Sequence, residues 1–333
     1  MSTIHTVAAR AGVSSATVSR VMNEPHKVRE ATRIKVELAM RELDFSRNSF
    51  AASLASRRSN CVGLVVSHLS SAFFAPLVNE IEEAVSAVGS YLIVTCGKNS
   101  EEEVAGGLQF MRQRRCDAII LYPGQLSDQA LAEILLGNPQ VVVIHRTVPG
   151  FATRCVQLDN HTGGRLAAEY LLRCGHRAIG VVAGPHSNPE SMQRLSAFRD
   201  TLQAAGVALP TERVIEGSFH FESGRQCMAE LWTAQPALTA VFCLNDQMAF
   251  GALNYCRSAG IDVPSQLSLI GFDDVEYADL IHPRLTTVHH PVAALARTAA
   301  QLALRLAVGE SLTEPQDLLV PHLVVRDSVR TLS

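Results

Sequence analysis

A short polar helix face near the N-terminus carries residue types that can read the edges of base pairs. In the segment SSATVSRVMN, residues 14–23, helical spacing places Ser15, Ala16, Ser19 and Arg20 on one face. Arginine can contact guanine through two hydrogen bonds, and serine and alanine are short enough to let a helix approach closely. We therefore interpret the face as a candidate reader of the DNA major groove; a solvated face of an ordinary helical hairpin is the alternative.

Two short helices around a tight turn are expected to position this face. Apolar residues recur at helical spacing before Gly12, and glycine accepts the positive φ that a sharp turn requires. Ser14 is a natural N-cap for the second helix, whose opposite face is apolar and would pack inward. A further helical pattern over Val28–Leu43 would close a three-helix head.

Charge divides the chain into a basic head and an acidic body. The 333 residues carry a net charge of −3, but the first 60 contain ten Lys or Arg against five Asp or Glu, which leaves −8 for the rest. Basic charge offsets phosphate repulsion, whereas an acidic body would discourage nonspecific wrapping around DNA. The length allows two or three compact domains, so most of the chain must do something other than contact DNA.

Neither a metal site nor a cofactor is expected from the cysteines and histidines. The eight cysteines are scattered through apolar stretches without a CxxC pair, and of the twelve histidines only His289 and His290 are adjacent. We interpret the cysteines as reduced core residues. No export signal is present, and no apolar run approaches the ~20 residues of a membrane span. We therefore expect a cytoplasmic protein with no membrane partner.

Beyond a polar stretch over residues 44–60, β-rich runs alternate with helical patterns. The first round begins at Cys61 and ends in the run VVVI, and a second, similar round follows VQLDN and ends near LSLIGFD. This alternation predicts doubly wound parallel sheets, and the two rounds predict two similar subdomains. A last amphipathic helix over Leu295–Gly309 precedes a strand-like run, DLLVPHLVVR. Because ligands of open α/β sheets bind at the carboxyl ends of the strands, we expect an effector in the cleft between the subdomains.

Polar side chains stand at these strand ends and suit a small polyhydroxylated molecule. Asp273 follows LSLIGF, Asn245 and Asp246 follow AVFCL, and Arg194 lies on the helix after AIGVVAGP. Carboxylates, amides and the arginine fork can all hydrogen-bond vicinal hydroxyl groups. Structural interpretations compete with this one: Asp246 is more readily the N-cap of its helix, and Asp273 could be a turn residue.

The segment TIHTVAARAGVSSATVSRVMN resembles the N-terminal signature of the lactose/galactose repressor family of bacterial transcription factors, and the similarity continues through almost the whole chain. The resemblance implies a small all-α helix-turn-helix head, a hinge, and an α/β core of the periplasmic-binding-protein type for effector binding and dimerisation. The implied head, hinge and core span 1–45, 46–60 and 61–333. Within the core, the N-subdomain combines 61–158 with 289–318, and the C-subdomain combines 159–288 with 319–333.

The resemblance also implies which residues form the two sites. Those expected to contact DNA are Thr3, Ser14, Ser15, Ala16, Thr17, Ser19, Arg20, Asn23 and Leu54, the last as a wedge in the minor groove. Those expected to contact the effector are Phe73, Ala75, Pro76, His145, Arg194, Phe219, Asn245, Asp273 and His290. The chain departs from the family pattern at Arg47 and Ala52 in the hinge, and at His145, where relatives commonly carry aspartate or asparagine.

A neutral sugar or glycoside is the expected effector. The runs CGKNSEEE, CDAIILYP and SMQRLSAF look most like the galactoside and β-glucoside repressor branch. Phe73 and Phe219 could offer flat apolar faces to a sugar ring, although Phe73 and its neighbour Phe74 could also be core residues. A phosphorylated ligand stays open, because Arg146 and His145 could supply positive charge.

A ligand-controlled repressor is the favoured function: a homodimer binds a near-palindromic operator, and an effector in the cleft alters its DNA affinity. A sugar-binding protein of the same two-lobed fold is the alternative, and residues 1–60 count against it. An enzyme is disfavoured because Asp273 and Asp274 are adjacent rather than placed across a cleft, and because GxSxG and phosphate-binding glycine motifs are absent. The chain stops at Ser333 without the heptad segment of tetrameric relatives, so a dimer is expected.

Overall fold

Three helices form the N-terminal unit of the computed structural model, which describes residues 3–45, 58–69, 71–97, 100–235 and 237–332. They are α1 (Ile4–Ala11), α2 (Ser15–Asn23) and α3 (Glu30–Glu42). Gly12 ends α1 with φ 67°, the left-handed conformation that glycine adopts without strain. Val7, Val18 and Val36, one from each helix, are fully buried against one another. The head is therefore a helix-turn-helix closed by a third helix, as predicted.

The second unit, Asn60–Ser333, contains two parallel-rich sheets. The first sheet has the order β2-β1-β3-β4-β5, with every pairing parallel. Its elements are β1 (Cys61–Val66), α4 (Phe74–Ser86), β2 (Tyr91–Cys96), α5 (Glu101–Gln113), β3 (Ala118–Leu121), α6 (Asp128–Gly137), β4 (Val141–Ile144) and β5 (Cys155–Val156). Strands β3 and β4 are wholly buried because helices cover both faces.

The second sheet has the order β11-β10-β9-β8-β6-β7, in which β11 alone runs antiparallel to its neighbour. Its elements are α7 (Asn160–Arg173), β6 (Ile179–Ala183), α8 (Pro189–Ala204), β7 (Val214–Glu216), α9 (Phe221–Ala234), β8 (Ala240–Cys243), α10 (Asp246–Ser258), β9 (Ser268–Asp273), α11 (Tyr277–Leu280), β10 (Thr286–His289) and β11 (His322–Val324). The strand-like run at the C-terminus thus yields only a three-residue edge strand. Pro321 precedes it, and proline cannot donate to a sheet ladder.

The final long helix, α12 (Val292–Ala307), packs on the first sheet although it follows a strand of the second. The chain therefore passes between the sheets three times: between β5 and α7, between β10 and α12, and between α12 and β11. Leu158 and Leu319 lie side by side in a parallel bridge at two of these passages. We call the first sheet with its helices and α12 the first lobe, and the remainder of this unit the second lobe. No helix in the described part of the chain is long and apolar enough to cross a membrane.

Candidate functional site

The outward face of α2 presents two of the residues expected to read bases. Ala16 and Arg20 are exposed, whereas Val18 and Val21 are buried beneath them. The Arg20 side chain makes no hydrogen bond or ion pair with any described residue, so its guanidinium is available to a guanine edge or a phosphate. Ser15 is half-buried at the start of the same helix.

Three other residues expected to contact DNA lie at the N-termini of the helices. Thr3 and Ser14 are the N-caps of α1 and α2, and Thr17 lies in the first turn of α2. The Thr3 hydroxyl accepts the Thr6 amide in a capping box, and the Ser14 hydroxyl accepts the Thr17 amide at 3.1 Å. The hydroxyls of Ser14 and Thr17 also lie 2.9 Å apart. These contacts satisfy amides that a helix N-terminus leaves unpaired.

The hinge part of the expected DNA interface lies outside the described residues. Leu54, Arg47 and Ala52 lie outside the described residues, and Asn23 is described only as the last residue of α2. Ser19 is half-buried on the same helix. The predicted minor-groove contact of Leu54 therefore stays a prediction.

A cleft lies between the two lobes and encloses about 700 Å³ of space, part of it open to solvent. Of the nine residues expected to contact an effector, five line it: Phe73, Arg194, Phe219, Asn245 and Asp273. Phe74, the neighbour of Phe73, is mainly a core residue. It is 5% exposed and packs in the core of the first lobe, and it also lines the cleft. Several lining residues directly follow the carboxyl ends of parallel strands, which is where ligands of open α/β sheets bind.

Arg194 is the only Lys or Arg among the described residues that line the cleft, and it is 3% exposed. Its Nε donates to Asn160 Oδ1 at 2.8 Å, and its Nη1 donates to the Leu244 carbonyl at 2.7 Å. The guanidinium carbon lies 3.7 Å from the centroid of the Phe272 ring. These contacts hold the arginine fork rigidly in place, because a planar guanidinium has a fixed donor geometry.

Two buried carboxylates flank this guanidinium. Glu190 Oε2 lies 3.7 Å from Nη2 of Arg194, and Asp273 Oδ1 lies 3.8 Å from Nη1. Burial acts to raise the pKa of Glu190, but His145, Arg194 and Arg146 outweigh it and hold that pKa below its usual range. The cleft therefore carries more negative than positive charge near Arg194.

Asn245, rather than Asp246, caps α10, so the N-cap interpretation of Asp246 is wrong. The Asn245 side chain accepts the Met248 amide at 2.9 Å and donates to the Phe219 carbonyl at 3.0 Å. Asp246 is 1% exposed and accepts from the Val275 amide at 3.0 Å and from a threonine hydroxyl of β10. Burial, and then the charge of Asp273, raises the pKa of Asp246 well above its ordinary value. Asp246 thus ties α10 to the turn after β9.

The GFDD sequence ends strand β9, so Asp273 is a strand residue rather than a turn residue, and its carboxylate lines the cleft. Asp273 and Asp274 have φ values of 114° and 57°, a region that non-glycine residues seldom adopt. Asp274 points away from the cleft. Its Oδ2 lies 2.9 Å from Nδ1 of His289, and its Oδ1 lies 2.7 Å from Nη1 of Arg326. His145 and Phe219 also have positive φ. Backbone strain therefore surrounds the cleft, as it often does at functional sites.

Two aromatic rings stand on opposite sides of the cleft. Phe73 belongs to the first lobe and Phe219 to the second. Gly184 makes room for the Phe219 ring, since a Cβ atom at this position would lie 2.2 Å from it. Both rings can offer apolar faces to a ligand, as expected from the sequence.

The two histidines expected at the site are buried beside Phe73. His145 and His290 are 3% and 1% exposed, their ring centroids are 4.9 Å apart, and all four nitrogens lack hydrogen-bond partners. His145 Nδ1 lies 3.5 Å from Glu190 Oε2, which connects the two lobes. Burial and the nearby His145 lower the pKa of His290 well below its ordinary value. His145 lines neither the cleft nor the cavity beside it.

The remaining expected residues, Ala75 and Pro76, line a neighbouring cavity together with His290. Phe73 and Asp273 border both this cavity and the cleft. Eight of the nine expected residues therefore line the cleft or the neighbouring cavity, and the ninth, His145, packs beside Phe73 outside both.

Several lining residues were not predicted from the sequence. They are His68, Tyr122, Gln125, Asn188, Glu190 and His220. Glu190 could have been found, because it precedes Arg194 by four residues on one helix and so shares its face. His68 and His220 come from different lobes, with ring centroids 5.2 Å apart, and no sequence signal links them. The described residues contain no group of three or more side chains suited to hold a metal ion.

The stability of the protein should depend on the ionisation of Asp273. Burial raises the pKa of its carboxyl to about 7, against the opposing charge of Arg194 and with a further rise from Glu190. In the unfolded chain this pKa is about 3.9. Stability should therefore fall as the pH rises from about 4 to about 7, because the unfolded chain then binds fewer protons. Asp273→Asn removes the free-energy cost of ionising this buried carboxyl, because asparagine carries no ionisable group.

Urea unfolding at pH 5 and pH 8 measures the effect. The stabilisation of Asp273→Asn over the parent should be larger at pH 8 by about 2–3 kcal/mol. Asp317→Asn, at an exposed position, is the control. An equal difference at both pH values would contradict the assignment.

Comparisons with known proteins agree with this geometry in both units. Residues 3–48 match the bacterial regulatory proteins of the lacI family, and residues 168–329 match a periplasmic binding protein-like domain. The HTH-type transcriptional regulator GalR of Escherichia coli K12 is 39% identical over 333 residues, which cover 100% of this chain and 97% of GalR.

Solved structures extend the similarity to the fold. The complex of the transcriptional regulator CelR with cellobiose is 34% identical, with a TM-score of 0.73 over 98% of this chain and 100% of CelR. The lac repressor dimer bound to operator and the anti-inducer ONPF is 27% identical, with a TM-score of 0.88 over 99% of each chain. The chain therefore belongs to the lacI family of bacterial regulatory proteins.

Proposed function

We propose that this protein is a cytoplasmic, homodimeric transcriptional repressor controlled by a neutral sugar or glycoside bound between the two lobes. The observation that carries the proposal is the set of polar residues Arg194, Asn245 and Asp273, which line one cleft together with the rings of Phe73 and Phe219 in a chain with a helix-turn-helix head. Amide, carboxylate and guanidinium groups recognise vicinal hydroxyls, and aromatic faces pack on a sugar ring.

The charge of the cleft favours a neutral effector over a phosphorylated one. Two donors of Arg194 are already used by protein acceptors, and two carboxylates lie beside it. Arg146 donates to the Leu126 carbonyl and pairs with Asp128 at 2.7 Å, so it does not supply a free cation. An incoming phosphate would meet net negative charge at short range, where Coulomb repulsion is strong.

The relatives support the same class of ligand. The CelR structure contains cellobiose, and the lac repressor structure contains operator DNA and ONPF. By analogy we propose that this chain binds a near-palindromic operator as a dimer, with residues 46–60 as the hinge between head and core. Effector binding would then change operator affinity by a coupling free energy that acts in both directions.

Footprinting of the purified protein on its own upstream DNA tests the proposal. The experiment is done at fixed salt, because DNA affinity depends steeply on ionic strength, with galactosides, β-glucosides, sugar phosphates and purines in turn. We expect a protected palindrome whose occupancy changes with one neutral glycoside. Absence of protection under every condition would favour a sugar-binding protein without a DNA role, and sedimentation as a salt-resistant tetramer would contradict the dimer.

Glu190 is expected to exclude phosphorylated effectors. Glu190→Gln removes one buried negative charge 3.7 Å from Arg194 and keeps the shape of the side chain. The affinity for a sugar phosphate, relative to its neutral parent sugar, should rise by about tenfold or more. Isothermal titration measures both affinities, and Glu222→Gln, at an exposed glutamate paired with Arg225, is the matched control. An unchanged ratio would show that Glu190 does not discriminate by charge.

A further inference from the structure

A hydrogen bond joins the two helices of the helix-turn-helix at the residue expected to meet DNA first. The Ser15 hydroxyl at the start of α2 lies 3.0 Å from Nδ1 of His5, which belongs to the first turn of α1. His5 is exposed and Ser15 is half-buried. The Ser14 hydroxyl in the same turn caps the helix by accepting the Thr17 amide and also contacts the Thr17 hydroxyl, so its role differs from that of the Ser15 hydroxyl.

This bond determines what the Ser15 hydroxyl can offer to a base. A hydroxyl has one hydrogen to donate, and a neutral imidazole has one nitrogen that donates and one that accepts. When Nδ1 of His5 is unprotonated, the Ser15 hydrogen points to it and only the oxygen lone pairs remain for a base. When Nδ1 carries a proton, Ser15 accepts it and its own hydrogen is available to a base acceptor.

The carboxylates of the head that form ion pairs do so with residues other than His5. Among the described residues of the head, Arg10 pairs with Glu42, Lys27 with Glu24, and Arg33 with Glu30 and Glu37. None of these carboxylates is within ion-pair distance of His5, on α1 itself or from the α2 and α3 helices that pack against it. Ser15 is thus the hydrogen-bond partner that the structure gives to the His5 ring.

We propose that His5 is a positioning residue for operator recognition, which fixes the orientation and hydrogen-bond polarity of the Ser15 hydroxyl toward one base of each half-site. The inference rests on the proposed DNA-binding function. It assigns His5 no direct contact with a base. Direct readout in the major groove distinguishes donors from acceptors at base edges, so a change in hydroxyl polarity changes which base is preferred.

Binding-site selection with the full-length protein tests the inference. The variants are His5→Ala, His5→Gln, Ser15→Ala and the double variant His5→Ala/Ser15→Ala, each selected against a randomised half-site under one buffer condition. We expect both single alanine variants to lose the same base preference, by about 3- to 10-fold per half-site, the value of one hydrogen bond. The double variant should lose no more than either single variant, because the two residues act as one unit.

A conservative variant separates positioning from simple packing. Glutamine can donate and accept a hydrogen bond, so His5→Gln should restore part of the base preference that His5→Ala loses. His26→Ala, at an exposed histidine of the same head whose ring makes no hydrogen bond with any described residue, is the matched control and should keep the parent base preference.

Each remaining outcome overturns the inference. If the His5 variants weaken binding to all sequences equally, or lower the melting temperature without changing base preference, the hydrogen bond only stabilises the head. An unchanged preference in Ser15→Ala would show that Ser15 reads no base. Failure of the proposed function would look different, because the parent protein itself would then bind no operator. Failure of the His5 inference leaves operator binding by the parent intact.

Discussion

Arg194→Ala should abolish the response of operator binding to the effector and lower the free energy of unfolding by ~3–5 kcal/mol, the range for breaking a buried ion pair. The arginine is 3% exposed, and its removal leaves Asn160 Oδ1 and the Leu244 carbonyl without their donors. Glu190 and Asp273 would also lose the positive charge between them. Urea unfolding measures the stability, and footprinting with and without effector measures the response.

A second variant keeps this prediction testable if the alanine protein does not fold. Arg194→Lys preserves the charge but cannot reproduce two donors in a fixed plane over the Phe272 ring. We expect it to fold, to bind operator, and to bind the effector at least ~10-fold more weakly, as expected for one lost charged hydrogen bond.

The matched control is Arg165→Ala, at a surface arginine paired with Glu169 on α7. An exposed pair of this kind contributes less than ~1 kcal/mol, so this variant should behave like the parent. A normal effector response in Arg194→Lys would mean that the planar fork of Arg194 is not needed for recognition.

Arg20→Ala should remove discrimination at one base pair in each operator half-site, at a cost of ~1–3 kcal/mol per half-site. Arg20 is exposed on α2 and has no ion-pair partner among the described residues, so a bidentate contact with guanine requires no internal bond to break. Competition between the consensus operator and single-base variants measures the loss at each position.

The control for this experiment is Arg10→Ala, at an arginine of the same head that pairs with Glu42. It should leave base preference unchanged. If Arg20→Ala instead weakens binding to every sequence alike, with a salt dependence reduced by about one phosphate contact, then Arg20 binds the DNA backbone.

Helix starts could be predicted closely because their signals are local. Helices α5, α6 and α10 begin at Glu101, Asp128 and Asp246. In each case the residue just before the helix is a serine or asparagine whose side chain accepts an amide three residues on. Such a cap depends only on neighbours in the chain.

The cap of α10 shows where local signals fail. Asn245 and Asp246 are adjacent, and either type can cap a helix. The choice follows from the turn after β9, because the Val275 amide and the Thr287 hydroxyl both bond Asp246. These partners lie 29 and 41 residues away, beyond the reach of any local pattern.

The sequence by itself determined the helix-turn-helix, the alternation of strands and helices in two rounds, and the polar residues at strand ends. Periodicity, caps and turn residues act over a few positions, so the chain carries these signals without reference to its folded shape. The relative positions of the effector residues were decided only by tertiary structure. His145 and Glu190 meet because strands and helices from different lobes converge. There, neighbouring positive charges lower the pKa of Glu190 against the effect of burial, and burial raises the pKa of Asp273. Desolvation and charge pairing depend on distances in space, which spacing along the chain does not encode.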